Sequence, residues 1–234
     1  FMHLCYKFFT YLFYPLAPLY LLLRRLKKKE DTISTHEKLS KIKLPRGEGF
    51  LMWFHVASVG EAMSILPLID SFEKNKKIDK ILLTSITLSS GNILKKKTAS
   101  NKKIVHQFLP LDINTLSNNF LNHWRPNLSI FIDSEIWPNL ILNLKKRKIP
   151  TMLINARISE KSFKKWRLVK NFAKNIFETF DVCIVSDNKS ENFLKVLGSK
   201  NIKNYGNLKF TNIKTDFKNK FDLKFLEKIK NRSI

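Results

Sequence analysis

The chain has 234 residues, 44% of them hydrophobic, and a formal net charge of +24. The apolar content excludes a chain that is disordered throughout and is enough for one α/β domain with its own core. The charge indicates an anionic partner. A genome composition that favours Lys codons, with the side chains exposed to solvent, explains the charge equally well. Cys5 and Cys183 are the only cysteines and have no metal-ligand spacing, which argues against structural zinc and fits a reducing compartment.

Residues 8–23 carry no charge, and a cluster of basic residues follows at once over 24–29. The stretch is shorter than the ~20 apolar residues of a full bilayer crossing, and Pro15 and Pro18 would kink a helix. We therefore predict a membrane anchor with a basic flank over residues 1–29 that either spans a membrane or lies on it. The basic cluster predicts that the chain after it is cytoplasmic. The alternative is an amphipathic helix buried against the domain.

The next residues, 30–47, are polar and Lys-rich, and they are predicted to form a linker. Beyond them, short apolar runs alternate with amphipathic stretches. The predicted strands are 50–56, 80–85, 104–109, 128–133, 151–155, 182–186 and 202–205. The predicted helices are 62–72, 138–148, 161–177 and 189–197.

Strands that are apolar throughout and alternate with helices predict βαβ units and a parallel sheet that is covered on both faces. The fold class is therefore α/β, a Rossmann-like doubly wound sheet over residues 48–205. Residues 206–234 are predicted to begin an interdomain region or a second domain. In such sheets ligands bind at the carboxyl ends of the strands, so functional side chains are expected there.

Four short segments follow predicted strands: HVASVGE at 55–61, DSEIWPN at 133–139, NARIS at 155–159 and YGNLKF at 205–210. In the first, Glu61 is either a general base at the edge of a cleft or the partner of Ser58 in a capping box. In the second, Glu135 is either a functional acid or an acid that the helix dipole favours. Spacing alone leaves both pairs of alternatives open.

The other two segments each contain a basic residue, Arg157 and Lys209. Arg157 could hold a phosphate or carboxylate, or it could be a surface arginine that pairs with Glu160 or another acid. Lys209 follows a Gly-Asn turn and could stabilise a developing negative charge. In a chain so rich in lysine, a solvated side chain is the plainer interpretation of Lys209.

The four segments in this order, with TSIT at 84–87, Gly91 and FLPLD at 108–112, resemble the family of 3-deoxy-D-manno-octulosonic acid (Kdo) transferases over roughly residues 48–210. The resemblance implies transfer of Kdo from CMP-Kdo to lipid IVA in lipopolysaccharide biosynthesis. It also implies a GT-B architecture of two Rossmann-like domains. This chain would be an N-terminal fragment that carries the acceptor-binding domain and is inactive alone.

The resemblance also implies roles for single residues. Glu61 matches the family's proton acceptor, and Glu135 and Lys209 match positions that stabilise the transition state. We expect Ser58, Gly60, Arg157 and Asn207 to contact substrate. No cofactor and no metal are expected, in keeping with the absence of a DxD triplet.

The expected partners are lipid IVA, anionic lipids of the inner membrane and, through a C-terminal half, CMP-Kdo. Nucleic acid is not expected, because most aromatic residues lie in the N-terminal segment or in strand-like runs instead of alternating with basic residues. The alternatives are another lipid-directed glycosyltransferase of the same architecture, a basic nucleic-acid-binding module and a noncatalytic membrane scaffold.

Overall fold

A seven-stranded parallel sheet forms the centre of the computed structural model, which describes residues 2–99, 101–133 and 135–205. Its strands are β1 (Leu51–His55), β2 (Lys80–Ser85), β3 (Ile104–Phe108), β4 (Leu128–Ile132), β5 (Thr151–Ala156), β6 (Val182–Val185) and β7 (Ile202–Asn204). The strand order is β3-β2-β1-β4-β5-β6-β7. This order confirms the predicted doubly wound α/β fold. The order reverses between β1 and β4, which places the ligand-binding crevice of such sheets at the carboxyl ends of these two strands.

Helices connect and cover the strands. The described residues form α1 (Met2–Phe13), α2 (Ala17–Leu26), α3 (Thr32–Lys38), α4 (Val59–Glu73), α5 (Leu88–Thr98), α6 (Asn114–Trp124), α7 (Pro138–Lys146), α8 (Glu160–Leu168), α9 (Lys170–Phe177) and α10 (Asn188–Leu197). The single helix predicted over 161–177 is divided into α8 and α9 at Val169.

Burial on both faces of the sheet explains the continuous apolar strands. Along β1, Leu51 and Trp53 point into one hydrophobic cluster, and Met52 and Phe54 point into the other. The first cluster is covered by α6, α7, α9 and α10, and the second is covered mainly by α4 and α5. Successive side chains of a strand face opposite ways, so an apolar run with two covered faces follows directly.

The N-terminal segment forms two helices joined by a 3-10 turn at Tyr14–Leu16, which contains Pro15. Pro18 lies in the first turn of α2, where a proline is tolerated. In the part of the chain that the structure describes, no helix is both long and apolar enough to cross a bilayer. The spanning anchor that the sequence allowed is therefore not confirmed.

One side of α1 rests on the domain. The Tyr6 hydroxyl donates a hydrogen bond to Asp112, the Thr10 hydroxyl accepts one from Asn139, and His3 stacks on Phe172. The other side of these helices exposes many large apolar residues, which we call the apolar N-terminal surface. They are Met2, Leu4, Phe8, Phe9, Tyr11, Leu12, Phe13, Tyr14, Leu16, Leu19, Tyr20, Leu22, Leu23 and Leu26. The segment thus packs on the domain along one side only.

The stretch 30–47, for which a linker was predicted, contains α3 and is packed against the domain. Asp31 and Ser34 form a capping box at the start of α3. The buried Glu30 carboxylate accepts a hydrogen bond from Lys38 at 2.6 Å, and Glu37 accepts one from the Phe108 backbone N–H at 2.7 Å. The polar residues that predicted a linker thus make specific contacts, most of them within the segment and one, from Glu37, with the carboxyl end of β3.

The two cysteines have different surroundings. Cys183 is buried in β6, and burial raises the pKa of its thiol to about 12. Cys5 lies on α1 and is partly exposed. Both are free thiols.

Candidate active site

Glu61 lies in the first turn of α4, directly after the carboxyl end of β1. Its Oε1 accepts a hydrogen bond from the Ser58 hydroxyl at 2.7 Å, and its Oε2 accepts one from the Ala57 backbone N–H at 2.8 Å. Ser58 in turn accepts the Glu61 backbone N–H at 3.2 Å. Ser58 therefore caps α4 as the spacing allowed, but the Glu61 carboxylate binds the N–H of Ala57 in place of the Ser58 N–H that a full capping box would use. A carboxylate offers about four acceptor positions, so these two bonds fix Glu61 and leave it able to accept a further proton or hydrogen bond.

Glu135 follows β4, the neighbour of β1 in the sheet. The chain leaves β4 through Asp133, whose φ of +62° belongs to the left-handed region that Asp tolerates better than most residues. The Trp137 indole N–H donates to Glu135 Oε2 at 3.1 Å. Burial raises the pKa of Glu135 to about 7, and the negative charges of Glu61 and Asp133 add to this, while the Trp137 hydrogen bond opposes it.

Glu61 contributes to the raised pKa of Glu135 because the two residues follow neighbouring strands of the sheet. His55 is paired in register with Phe131, so the two carboxylates follow the ends of adjacent strands. They meet at the point where the strand order reverses, the expected ligand crevice of this fold. The structure thus brings together the two acids that the sequence singled out. Two neighbouring carboxyls, one of them with a raised pKa, are suited to acid–base chemistry.

Arg157 follows β5, the next strand of the sheet, and is exposed. Its Nε donates to the Ser186 hydroxyl at 3.0 Å. Against the effect of burial, hydrogen bonds from Ser190 and Ser186 lower the pKa of Asp187, and the charge of Arg157 adds to this. Glu160, the surface partner considered from sequence, instead pairs with Lys164 and Lys189. Arg157 therefore lies at the same edge of the sheet as the carboxylates.

Gly60 is the second residue of α4 and has open space where a side chain would begin. A ligand can therefore approach its backbone closely. Asn207 and Lys209, the remaining predicted site residues, lie outside the described residues.

A cavity of about 240 Å³ lies beside Ile136, the residue that follows Glu135. It is lined by Ile136, Leu153, Ala156, Ile158, Ser162, Trp166 and Phe177. Over the described ranges, no group of three or more His, Cys, Asp or Glu side chains is arranged to hold a metal ion.

Sequence reasoning missed two residues that shape this site. The sequence pointed to Trp137 only as a member of the DSEIWPN segment, yet its indole N–H donates to Glu135. Asp112 stood out in the sequence only as the last residue of FLPLD, yet its carboxylate accepts backbone N–H groups of the first turn of α7. An aromatic N–H two residues after a candidate acid was a usable signal for Trp137. No local signal existed for Asp112, because its partners lie 27 and 28 residues away.

Solved structures support the fold. UDP-GlcNAc 2-epimerase from Neisseria meningitidis, a crystal structure bound to UDP-GlcNAc, superposes with a TM-score of 0.50 and 14% identity over 76% of this chain and 52% of the epimerase. At this identity the likeness shows the fold alone.

Sequence relatives are more informative. The 3-deoxy-D-manno-octulosonic acid transferase of Rickettsia bellii (strain RML369-C) is 37% identical over 229 residues, which are 98% of this chain and 54% of that protein. The enzyme of the same name from Rickettsia felis is 45% identical over 165 residues, or 70% of this chain and 35% of the relative. A probable mitochondrial one from Arabidopsis thaliana is 37% identical over 166 residues, or 71% and 37%. The chain thus spans about half, or less, of the length of these curated relatives.

The match to the family as a whole covers most of the chain. Residues 25–212 match the family described as 3-Deoxy-D-manno-octulosonic-acid transferase (kdotransferase). This range contains Glu61, Glu135 and Arg157, the three charged residues that the fold gathers at one edge of the sheet. The chain belongs to the 3-deoxy-D-manno-octulosonic acid (Kdo) transferase family.

Proposed function

We propose that the protein transfers Kdo from CMP-Kdo to lipid IVA in lipopolysaccharide biosynthesis, and that this chain supplies the acceptor side of the reaction. The observation that carries the proposal is the position of Glu61 and Glu135 together at the reversal of strand order, in a chain of the Kdo transferase family. The rest of the donor site would belong to a C-terminal domain like the one expected in a GT-B architecture.

In this proposal Glu61 is the proton acceptor. A hydroxyl of lipid IVA attacks the anomeric carbon of Kdo, a new C–O bond forms, the bond to CMP breaks, and the hydroxyl proton passes to the Glu61 carboxylate. A sugar hydroxyl is a poor nucleophile, so a positioned base accelerates its attack. The hydrogen bonds from Ala57 and Ser58 hold the base in one orientation before the acceptor arrives.

Glu135 and Lys209 would stabilise the transition state. A carboxylate at Glu135 favours positive charge at the anomeric carbon, as acids do in glycosidases. Its pKa near 7 keeps both of its protonation states populated at neutral pH. Lys209 would offset charge on the Kdo carboxylate or on departing CMP. Ser58, Gly60, Arg157 and Asn207 would contact substrate, and the reaction would need no metal.

We also propose that the apolar N-terminal surface lies in the interface of an anionic membrane with the catalytic domain on the cytoplasmic side. Phe8 and Phe9 are 62% and 66% exposed, and Leu26 is 72% exposed. Basic residues follow directly at the end of α2 and in the turn after it. An apolar surface flanked by cations is typical of interfacial helices that bind anionic lipid. The membrane would then hold lipid IVA near the site.

The test is a transfer assay of the full-length gene product with CMP-Kdo and lipid IVA, analysed by mass spectrometry of the lipid. We expect a product heavier by one or more Kdo residues. Glu61→Gln should lower kcat by about 10²–10⁴-fold, the usual contribution of a general base, and Lys209→Ala should also lower it. Glu178→Gln, which alters an acid paired with Lys174 and Lys200 on the protein surface, is the matched control.

Two results would contradict the proposal. Transfer from a different sugar nucleotide but not from CMP-Kdo would favour another lipid-directed transferase of this architecture. Full activity of Glu61→Gln would remove the base from the mechanism.

A further inference from the structure

Asp112 caps a helix that is distant in sequence. It ends the FLPLD segment, between β3 and α6, but its carboxylate binds the first turn of α7. Oδ2 accepts the Asn139 backbone N–H at 3.0 Å, and Oδ1 accepts that of Leu140 at 2.9 Å. These residues are the second and third of α7, and their N–H groups are the ones that an N-cap side chain ordinarily binds.

The first turn of α7 has no such cap of its own. Its N-cap residue, Trp137, makes no side-chain capping bond, and its first residue is Pro138, which has no N–H. Asp112 therefore supplies the acceptor that the local sequence lacks, and its charge lies at the positive end of the helix dipole. The Asn139 side chain strengthens the contact by donating to the Asp112 carbonyl oxygen at 2.7 Å.

The same carboxylate is bound by the N-terminal helix. The Tyr6 hydroxyl donates to Asp112 Oδ2 at 2.9 Å, and the Asn139 side chain also donates to the Thr10 hydroxyl at 3.0 Å. Tyr6 and Thr10 are four residues apart and therefore share one face of α1. We call this cluster of Tyr6, Thr10, Asp112, Asn139 and Leu140 the Asp112 junction.

On its other side the Asp112 junction reaches the candidate site. Asn139 is two residues after Trp137, whose indole N–H donates to Glu135 at 3.1 Å. A continuous series of contacts therefore runs from α1 through Asp112 and the start of α7 to the Glu135 carboxylate. Glu135 and Trp137 lie between the end of β4 at Ile132 and the start of α7 at Pro138, so a displacement of α7 acts on the residues directly before it.

We propose that the Asp112 junction sets the position of the Glu135 carboxylate and makes that position depend on how α1 is seated on the domain. The proposal rests on the proposed function, in which Glu135 acts on the transition state and α1 lies at the membrane. Asp112 is then a positioning residue that acts through Trp137. A bilayer bound to the exposed apolar side of α1 would then affect the position of Glu135 through Tyr6 and Thr10, which lie on the side of α1 that contacts the domain.

The test compares four forms of this chain: wild type, Asp112→Asn, Tyr6→Phe and Asp181→Asn. Asp181 is the matched control, since its carboxylate also accepts a backbone N–H, that of Thr151 at 2.9 Å. This contact lies at the amino ends of β5 and β6, away from the candidate site. The Glu135 carboxyl is titrated by carbon-13 NMR. A looser junction weakens the Trp137 hydrogen bond, which favours the charged form, so the pKa of Glu135 should rise by roughly half to one pH unit in Asp112→Asn.

Tyr6→Phe should raise the pKa of Glu135 in the same direction by less and is the milder variant if Asp112→Asn folds poorly. Asp181→Asn should leave it unchanged. An unchanged pKa of Glu135 in Tyr6→Phe and in folded Asp112→Asn would overturn the proposal. So would an equal change in Asp181→Asn, because the effect would then come from general loss of stability.

A transfer assay of the full-length gene product separates this proposal from the proposed function. Asp112→Asn should lower kcat about tenfold, but it should have no further effect in a Glu135→Gln background, because residues that act through one another are not additive. An equal fold-loss in both backgrounds would overturn the positioning role. If the pKa of Glu135 responds as expected while wild type transfers no Kdo, the proposed function fails and the contact pathway stands.

Discussion

The hydroxyl of Ser58 donates to Glu61 Oε1 at 2.7 Å while it accepts the Glu61 backbone N–H at 3.2 Å, so the two residues hold each other at the start of α4. The same bonds stabilise the helix and fix the carboxylate. A structural role for Glu61 and a catalytic one are therefore not exclusive, and they can be separated by measuring stability and transfer in the same variants.

Ser58→Ala should lower the free energy of unfolding by about 0.5–2 kcal/mol, since the N-cap acceptor is lost. It should also lower transfer activity, because Glu61 loses one of its two hydrogen-bond donors. Ser58→Thr keeps the hydroxyl and should restore most of both. Asp31→Ala, which removes the cap of α3, is the control: it should lower stability alone. Urea unfolding and the transfer assay measure the two effects, and a parallel loss of activity in Asp31→Ala would refute the link to Glu61.

Gly60→Ala and Gly91→Ala should have opposite effects on stability. A Cβ at Gly60 meets open space in a helix, so alanine should stabilise α4 by about 0.5–1 kcal/mol. A Cβ at Gly91 would collide with the Phe108 ring, and this overpacking should destabilise by about 1–3 kcal/mol. If the acceptor approaches the Gly60 backbone, Gly60→Ala should nevertheless raise KM in the transfer assay. Unchanged kinetics would remove Gly60 from the acceptor site.

Glu135 should make stability depend on pH. Its pKa is raised from 4.5 to about 7, so the native state holds the proton more tightly than the unfolded chain. Its contribution to stability is therefore greatest at low pH and is lost as the pH rises through this interval. Glu135→Gln cannot ionise, so its free energy of unfolding should exceed that of wild type at about pH 8, and the difference should shrink toward about pH 4. Urea titrations at both pH values test this, and a difference that does not change with pH would count against it.

Removal of exposed rings should weaken membrane binding. Burial of one Phe side chain contributes about 1.5–3 kcal/mol, so Phe8→Ser with Phe9→Ser should lower partitioning into phosphatidylethanolamine–phosphatidylglycerol vesicles at least tenfold. Leu168→Ser is the matched control, because Leu168 is 85% exposed but lies on α8. Vesicle sedimentation measures binding. Equal losses in both variants would show that the apolar N-terminal surface has no special role.

Local pattern predicted the strands well, because each is a short apolar run that is buried on both faces. The helices were predicted less completely. The sequence of α6, NTLSNNFLNHW, is rich in residues of low helix propensity, and α5 begins LSSGN, in which Ser, Gly and Asn are also weak helix formers. Tertiary packing of Phe120, Leu121 and Trp124 overrides the weak propensity of α6.

The candidate site, like the fold, was predicted from the sequence only in part. Glu61, Glu135 and Arg157 were identified from their positions after strands, and the sheet brings them to one edge. The role of Asp112 could not be read from its neighbours, since it depends on which loops the strand order places together. Likewise, only the structure shows that residues 30–47 pack on the domain.

Because Cys183 is buried and Cys5 is partly exposed, Cys5 can be labelled selectively. At neutral pH a thiol-specific reagent should react with Cys5 well before Cys183, whose buried thiol ionises with a pKa of about 12. An environment-sensitive fluorophore attached there would sit on α1 without any engineered residue. Its emission would then follow the polarity around that helix in real time, in the otherwise native sequence.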